Sequence, residues 1–339
     1  MPADQYCYLR PGVRELLQEG TLFSRGEKRT TRFSFADALL ELGGERQDVV
    51  VLNADVSRGM GTYTFADKYP ERAFNLGISE QNMIAMAAGM AHSGLVPFVA
   101  TYAVFATLRG LDMIRNSVCY TRANVKFGCG HAGITPAEDG ATHQGQEDLN
   151  VMRAMPHMTV IAPADEGSTR SAVRAAAAHV GPVYLSLTKE PLPLLYDDTF
   201  PFAIGRAVTV RTGSDATIVA NRDMVAQALL AAELAAQEGL SVRVLDCHTV
   251  KPLDSDAILR AAAETGAVVT AEDNVLAGGL GSAVAELLIE ERPVPLRRIG
   301  VPDTFLQSGP YLKLLERYGM SPRHILEAVR TVVKQKAAH

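Results

Sequence analysis

The chain has 339 residues, 47% hydrophobic and 21% charged, the composition of a folded protein with room for two domains. Its net charge of -5 is spread without basic blocks, so neither nucleic acid nor an anionic membrane surface is an expected partner. No apolar run reaches the ~18 residues that span a bilayer, the N-terminus lacks the apolar core of a secretory signal, and Cys7, Cys119, Cys129 and Cys247 show no C-x-x-C spacing, so a cytoplasmic protein with reduced thiols is expected.

The first 28 residues carry one amphipathic stretch, "VRELLQEG". From about Arg32, β-branched runs alternate with Ala-rich segments of helical period, the pattern of parallel βα units. "DVVVLNAD" reads as a strand, "SEQNMIAMAAGMAHSG" as a helix closed by Gly94, "VPFVATY" as a strand, and "TLRGLDMIRNSVCYTR" as a helix. The strand "NVKFGCG", a loop, the helix "GQEDLNVMRAM", the strand "MTVIAPA", the helix "EGSTRSAVRAAAAHV" and the strand "PVYLSLT" follow. The apolar runs lack polar alternation, so these strands are expected to be covered on both faces.

Between Lys189 and Gly213 three prolines and the loss of helical period mark a linker, with the domain boundary near residue 200. A second α/β series begins with the strand "ATIVAN" and continues through the helix "MVAQALLAAELAAQEG", the strand "SVRVLDC", the helix "DSDAILRAAAETG" and the strand "AVVTAED". The turn "LAGGLGSAV" then opens a further helix, but the third glycine of a dinucleotide fingerprint would fall on Val284. It therefore reads as a tight strand-to-helix turn. There is no P-loop lysine motif and no histidine-cysteine metal cluster.

Three stretches could carry chemistry. In "NLGISEQNMIAMAAGM" a single acid, Glu80, opens an otherwise apolar helix. Ser79 as a cap with Glu80 against the helix dipole would account for it, yet a carboxylate in an apolar setting needs a polar partner or a proton. The loop "HAGITPAEDGATHQ" gathers His131, Glu138, Asp139, Thr142 and His143 at the carboxyl end of a strand, where open α/β sheets place ligands. Asp139 and His143 have metal-ligand spacing, but Gly140 argues against the helix that spacing needs, and contacts to a hydroxylated substrate are preferred. In "TYAVFATLRG", Tyr102 and Phe105 are either core or a stacking face for a ligand.

Together "GISEQNM", "TYAVFATLRGLDMIRNS" and "HAGITPAEDGATHQ" resemble the pyrimidine-binding half of transketolase, and "VKPLD", "VLAGGLGSAVAE" and "RIGVPDTF" resemble the family's third domain in the same order. The resemblance implies an α/β fold of two domains: a parallel-sheet pyrimidine-binding domain over residues 29–192 and a smaller transketolase C-terminal α/β domain over 213–335. An extension (1–28) and a linker (193–212) complete the chain. It further implies thiamine diphosphate as cofactor. Glu80 would hydrogen-bond a ring nitrogen of the aminopyrimidine, Phe105 would stack on the ring with Tyr102 beside it, and Asp55 of "LNAD" would lie near the cofactor. His131, Asp139 and His143 would hold substrate carbonyl and hydroxyl groups and move protons, with Glu80, His143 and His131 as the catalytic set. The implied reaction is two-carbon ketol transfer from a ketose to an aldose, with the cofactor as electron sink.

Two departures qualify the resemblance. The chain has no G-D-G stretch and so lacks the family's diphosphate- and magnesium-binding domain. It resembles the C-terminal subunit of a split transketolase, expected to pair with a diphosphate-binding chain, two copies of each, with the Mg2+ ligands on that partner. Arg32 and His131 match sugar-phosphate positions, but Gly59 stands where a serine is usual and Lys189 where an arginine is usual. Lysine lacks the bidentate fork of arginine, so the donor's terminal group stays open. Alternatives are a 1-deoxyxylulose-5-phosphate synthase-like enzyme, the beta subunit of a 2-oxo-acid dehydrogenase, or a non-catalytic partner that keeps the fold. The presence of Glu80 and His143 argues against the last.

Overall fold

The computed structural model describes residues 5–338. In chain order its strands are β1 (Lys28–Arg29), β2 (Val49–Asn53), β3 (Ala73–Asn75), β4 (Val96–Tyr102), β5 (Lys126–Gly130), β6 (Thr159–Ile161), β7 (Val183–Ser186), β8 (Leu192–Pro193), β9 (Val208–Arg211), β10 (Ala216–Ala220), β11 (Val242–Asp246), β12 (Thr249–Lys251), β13 (Val268–Val275) and β14 (Leu296–Val301). A seven-stranded sheet runs β12-β6-β7-β5-β4-β2-β3 and a five-stranded sheet β14-β13-β10-β11-β9. Both are parallel except for one antiparallel edge strand each, β12 against β6 and β9 against β11.

The uninterrupted apolar runs behave as their composition requires. All five residues of β2 are buried. Val49 and Val51 face Phe35 and Leu39 of the helix Thr31–Glu45, while Val50 and Leu52 face Met83 and Ile84 of the helix Glu80–His92. Lys126 lies fully buried in β5 because its ammonium donates to Asn124 Oδ1 (2.7 Å) and to the carbonyls of His179 (2.7 Å) and Gly181 (2.6 Å). Burial nevertheless pushes its pKa down to about 7.

The stretch "TLRGLDMIRNSVCYTR", expected as one helix, is instead broken into the π-helical segments Phe105–Arg109 and Ile114–Cys119 around a short α-helical turn, Leu111–Met113. Two further features escape the sequence pattern. β12 belongs by position to the second α/β series yet pairs with β6, so the later half of the chain completes the first sheet. The extension is built into the fold: Tyr6 and Leu9 bridge to Arg211 and Tyr196, β1 pairs with β8 inside the linker, and Val13, Leu17 and Leu22 are buried in the core around the helix Met224–Gln237. Among the described residues no helix is long and apolar enough to cross a membrane.

The parallel register brings the carboxyl ends of β2, β4, β5 and β7 to one edge of the larger sheet. Asp55, Tyr102, His131 and Lys189 stand at or just beyond those ends.

Candidate active site

Glu80 is the first residue of its helix, and its side chain is 1% exposed. Ser79 does not cap that helix; its hydroxyl donates to the Leu76 carbonyl at 2.7 Å. The carboxylate of Glu80 has instead a cationic partner, accepting from Arg109 Nη1 at 2.8 Å. Arg109 closes a π-helical segment, Phe105–Arg109, whose four-residue separation lays the guanidinium 4.8 Å over the Phe105 ring. Nothing in "TLRG" marked this arginine as the glutamate's partner; only the widened helical turn brings them together.

The aromatic pair is a continuous stack. Phe105 and Tyr102 have centroids 5.7 Å apart at 28°, and Tyr102 lies 3.6 Å from the His131 ring at 27°. His143 meets Phe105 edge-on at 5.5 Å and shares a hydrogen bond with Thr142 Oγ1 at 2.9 Å. The Tyr102 hydroxyl also explains Gly59, since a Cβ there would overlap it. The phenol occupies the space that a longer residue at 59 would need.

His131 begins the loop after β5 in the left-handed region, φ 60. Its Nε2 lies 3.4 Å from Arg32 Nη1 and 3.7 Å from Asp139 Oδ2, while Nδ1 is buried without a partner. Burial, reinforced by Arg32, Lys189 and His143, pushes its pKa down to about 2, so the imidazole is neutral at physiological pH. Asp139 accepts from Lys189 Nζ at 2.5 Å. Thr188 N donates to Thr31 Oγ1 at 2.7 Å, which ties the segment before Lys189 to the one before Arg32. Arg32 Nε is also buried without a partner.

These contacts form one unbroken run: Glu80, Arg109, Phe105, Tyr102, His131, Asp139, Lys189, with Arg32 and His143 on its flanks. Asp55 stands outside it. Exposed and left-handed (φ 61), its backbone N–H donates to Asn75 Oδ1 at 3.0 Å, and its carboxylate accepts from Asn75 Nδ2 at 3.4 Å. Glu138 is exposed. Among the described residues no group of three or more carboxylate, imidazole or thiol side chains could hold a metal.

The glycine-rich turn of the second half is already filled. Glu272, fully buried, accepts from the backbone N–H groups of Leu280 (2.8 Å) and Gly281 (2.7 Å) at the start of the helix Leu280–Glu291. A Cβ at Gly279 would overlap this carboxylate. An internal acid takes the donors that a phosphate would use.

Two family models cover most of the chain: the transketolase pyrimidine binding domain over residues 27–193 and the transketolase C-terminal domain over residues 205–325. The chain belongs to the transketolase family. It is 42% identical over 310 residues, 91% of this chain and 96% of the relative, to a 6-deoxy-6-sulfo-D-fructose transketolase subunit of a Clostridium species. It is 38% identical over 299 residues to 1-deoxy-D-xylulose-5-phosphate synthase of Pelotomaculum thermopropionicum, matching 87% of this chain and 47% of that enzyme. A solved structure described as a split gene transketolase, inactive beta4 tetramer, superposes with a TM-score of 0.85 at 45% identity, covering 91% of this chain and 99% of that one. This transketolase chain thus corresponds to the C-terminal subunit of the split form, within a family that depends on thiamine diphosphate.

Proposed function

We propose that this chain supplies the pyrimidine-binding side of a two-chain transketolase that moves a two-carbon ketol unit from a ketose to an aldose. The observation that carries the proposal is the unbroken run from buried Glu80 through the Phe105 and Tyr102 rings to His131, Asp139 and Lys189. A buried carboxylate beside a stacked aromatic wall suits a flat heterocycle with a ring nitrogen to bind, and the orphaned His131 Nδ1 and Arg32 Nε suit a polar substrate next to it. Glu80 and Phe105 would hold the aminopyrimidine, with Tyr102 beside it and Asp55 at the periphery.

Thiamine diphosphate, when bound, supplies the electron sink for carbon–carbon cleavage. The chain's own residues do the rest. Glu80 would hydrogen-bond a pyrimidine nitrogen, its buried carboxylate held in place by Arg109. His143, beside Phe105, moves protons to and from substrate oxygens. His131, neutral between its cationic neighbours, hydrogen-bonds a substrate hydroxyl or terminal oxygen without adding charge.

Positive charge for an anionic donor terminus comes from Arg32 and Lys189, two cations against the single carboxylate of Asp139. Phosphate and sulfonate both fit that balance, and the relative that acts on a sulfonated ketose makes the second a donor to test. The other half of the site, with the magnesium ligands, would come from a diphosphate-binding chain in a heterotetramer of two copies of each. The description of the related beta4 tetramer as inactive supports this reading.

The test is a titration with thiamine diphosphate and magnesium, on this chain alone and with its partner, followed by turnover on unmodified, phosphorylated and sulfonated ketoses and on pyruvate. Turnover of a ketose donor only in the two-chain complex is the expected result. Use of pyruvate alone would reassign the chain to a synthase of the deoxyxylulose type, and turnover by the single chain would remove the need for a partner.

A further inference from the structure

The substrate loop is held from behind by the second half of the chain, in part through one buried charged cluster. Arg222, 0% exposed and in the left-handed region (φ 47), sits among three carboxylates, Asp148, Asp223 and Asp273. It donates to Asp273 Oδ1, to Ser186 Oγ at the end of β7, and to Asn274 Oδ1 at 2.8 Å. Asp148 is satisfied by four donors: Tyr184 Oη (2.9 Å), Ser186 Oγ (2.6 Å), Asn274 Nδ2 (2.7 Å) and Leu149 N (2.7 Å). Asp223 accepts from Tyr311 Oη at 2.6 Å.

Of the three carboxylates, Asp273 faces the loop. Its Oδ2 accepts from Ile134 N at 3.2 Å, and it packs so close to Gly133 (φ +56) that a Cβ there would overlap both Asp273 and Arg222. His131 and Ala137 lie at positive φ, and a non-glycine residue persists in that conformation only when its surroundings impose it. The loop's far end is held by the same half of the chain: Gln146 O accepts from Val275 N (2.8 Å) and Asn274 Nδ2 (3.0 Å), and Gln144 Nε2 donates to Gln307 O (3.3 Å).

We propose that Asp273, fixed by Arg222, is a positioning residue that sets the His131–Ile134 turn and thereby orients the His131 ring on Tyr102 for donor binding. The inference rests on the transketolase reading of the site. It gives the second half of the chain a role in donor recognition although none of its side chains belongs to the run of contacts from Glu80 to Lys189.

The test uses the full chain in complex with its diphosphate-binding partner. Asp273→Ala removes the acceptor for Ile134 N while Arg222 keeps Asp148 and Asp223 as counter-charges. The donor KM is expected to rise by roughly tenfold to a hundredfold, while thiamine diphosphate affinity changes by less than about twofold, because Glu80 and Phe105 lie on other elements. In a His131→Ala background the same substitution should add nothing further to KM, since its effect runs through that ring. An unchanged donor KM, an equal rise in both backgrounds, or loss of cofactor affinity in step with donor affinity would each overturn the proposal. Should Asp273→Ala fail to fold, Gly133→Ala displaces the same turn with the charge cluster intact and is expected to show the same pattern. If the wild-type complex turns over no ketose at all, the functional reading fails. Amide hydrogen exchange at residues 131–134 then decides the positioning role, with faster exchange in Asp273→Ala supporting it and an unchanged rate rejecting it.

Discussion

At Glu80 the helix-opening acid is set by what surrounds the carboxylate. With Ser79 turned away to Leu76, the acid is buried against Arg109 rather than presented to solvent at a capped helix end. Glu80→Gln keeps the volume and Arg109 remains 44% exposed, so the fold should survive while ketol transfer falls by about 10²–10⁴-fold; circular dichroism and single-turnover kinetics on the two-chain complex check both halves. His131 makes a pH prediction. Its folded pKa is depressed from 6.5 to about 2, so above pH 6.5 neither folded nor unfolded imidazole binds a proton and its contribution is constant. As pH falls below 6.5 the unfolded chain takes up a proton that the folded chain refuses, and stability drops by up to about 1.4 kcal/mol per pH unit. His131→Gln should lose that component, so urea unfolding of wild type and variant from about pH 7 to about pH 5 should show a shallower slope for the variant.

Among the elements, the strands read from hydrophobic period lie where it placed them, because the central strands of each parallel sheet are buried on both faces, whereas β3, β9, β14 and the helices Thr31–Glu45 and Pro322–Ala337 are not read from it. What period could not supply was pairing. β12 is three residues long and antiparallel, and its place beside β6 depends on the chain crossing between sheets. The π-helical turns at Phe105–Arg109 and Ile114–Cys119 likewise carry no sequence mark, yet the first of them delivers Arg109 to Glu80. The glycine turn was legible as a tight turn, but its occupant, Glu272, was not. Gly279→Ala should force its new Cβ onto that carboxylate and cost about 1–3 kcal/mol, read as a lowered thermal midpoint, with Glu80-dependent cofactor binding preserved in the protein that remains folded.

For the whole molecule, the two halves are joined by a strap and by charge. The N-terminal residues lie along the linker through the Tyr6 and Leu9 bridges and the β1-β8 pair, and the Arg222 cluster spans both series. With no metal-binding group among the described residues, a chelator should leave the thermal midpoint of this chain alone unchanged while abolishing turnover of the two-chain complex. A drop in the midpoint of the isolated chain would place a metal site here after all.

The sequence by itself determined the α/β class, the order of the elements that hydrophobic period marks and the residue types at the site, because these follow from local period and from motifs held within single loops. It also carried Glu80, Tyr102, Phe105, His131, Asp139, His143, Arg32 and Lys189 as site candidates. Only the tertiary structure decided which of them touch: it set Arg109 on Glu80, left Asp55 outside the run, made His131 neutral and brought Asp273 against Gly133. Each of those facts joins segments far apart in the chain, and burial and contact between such segments exist only once the sheets have formed.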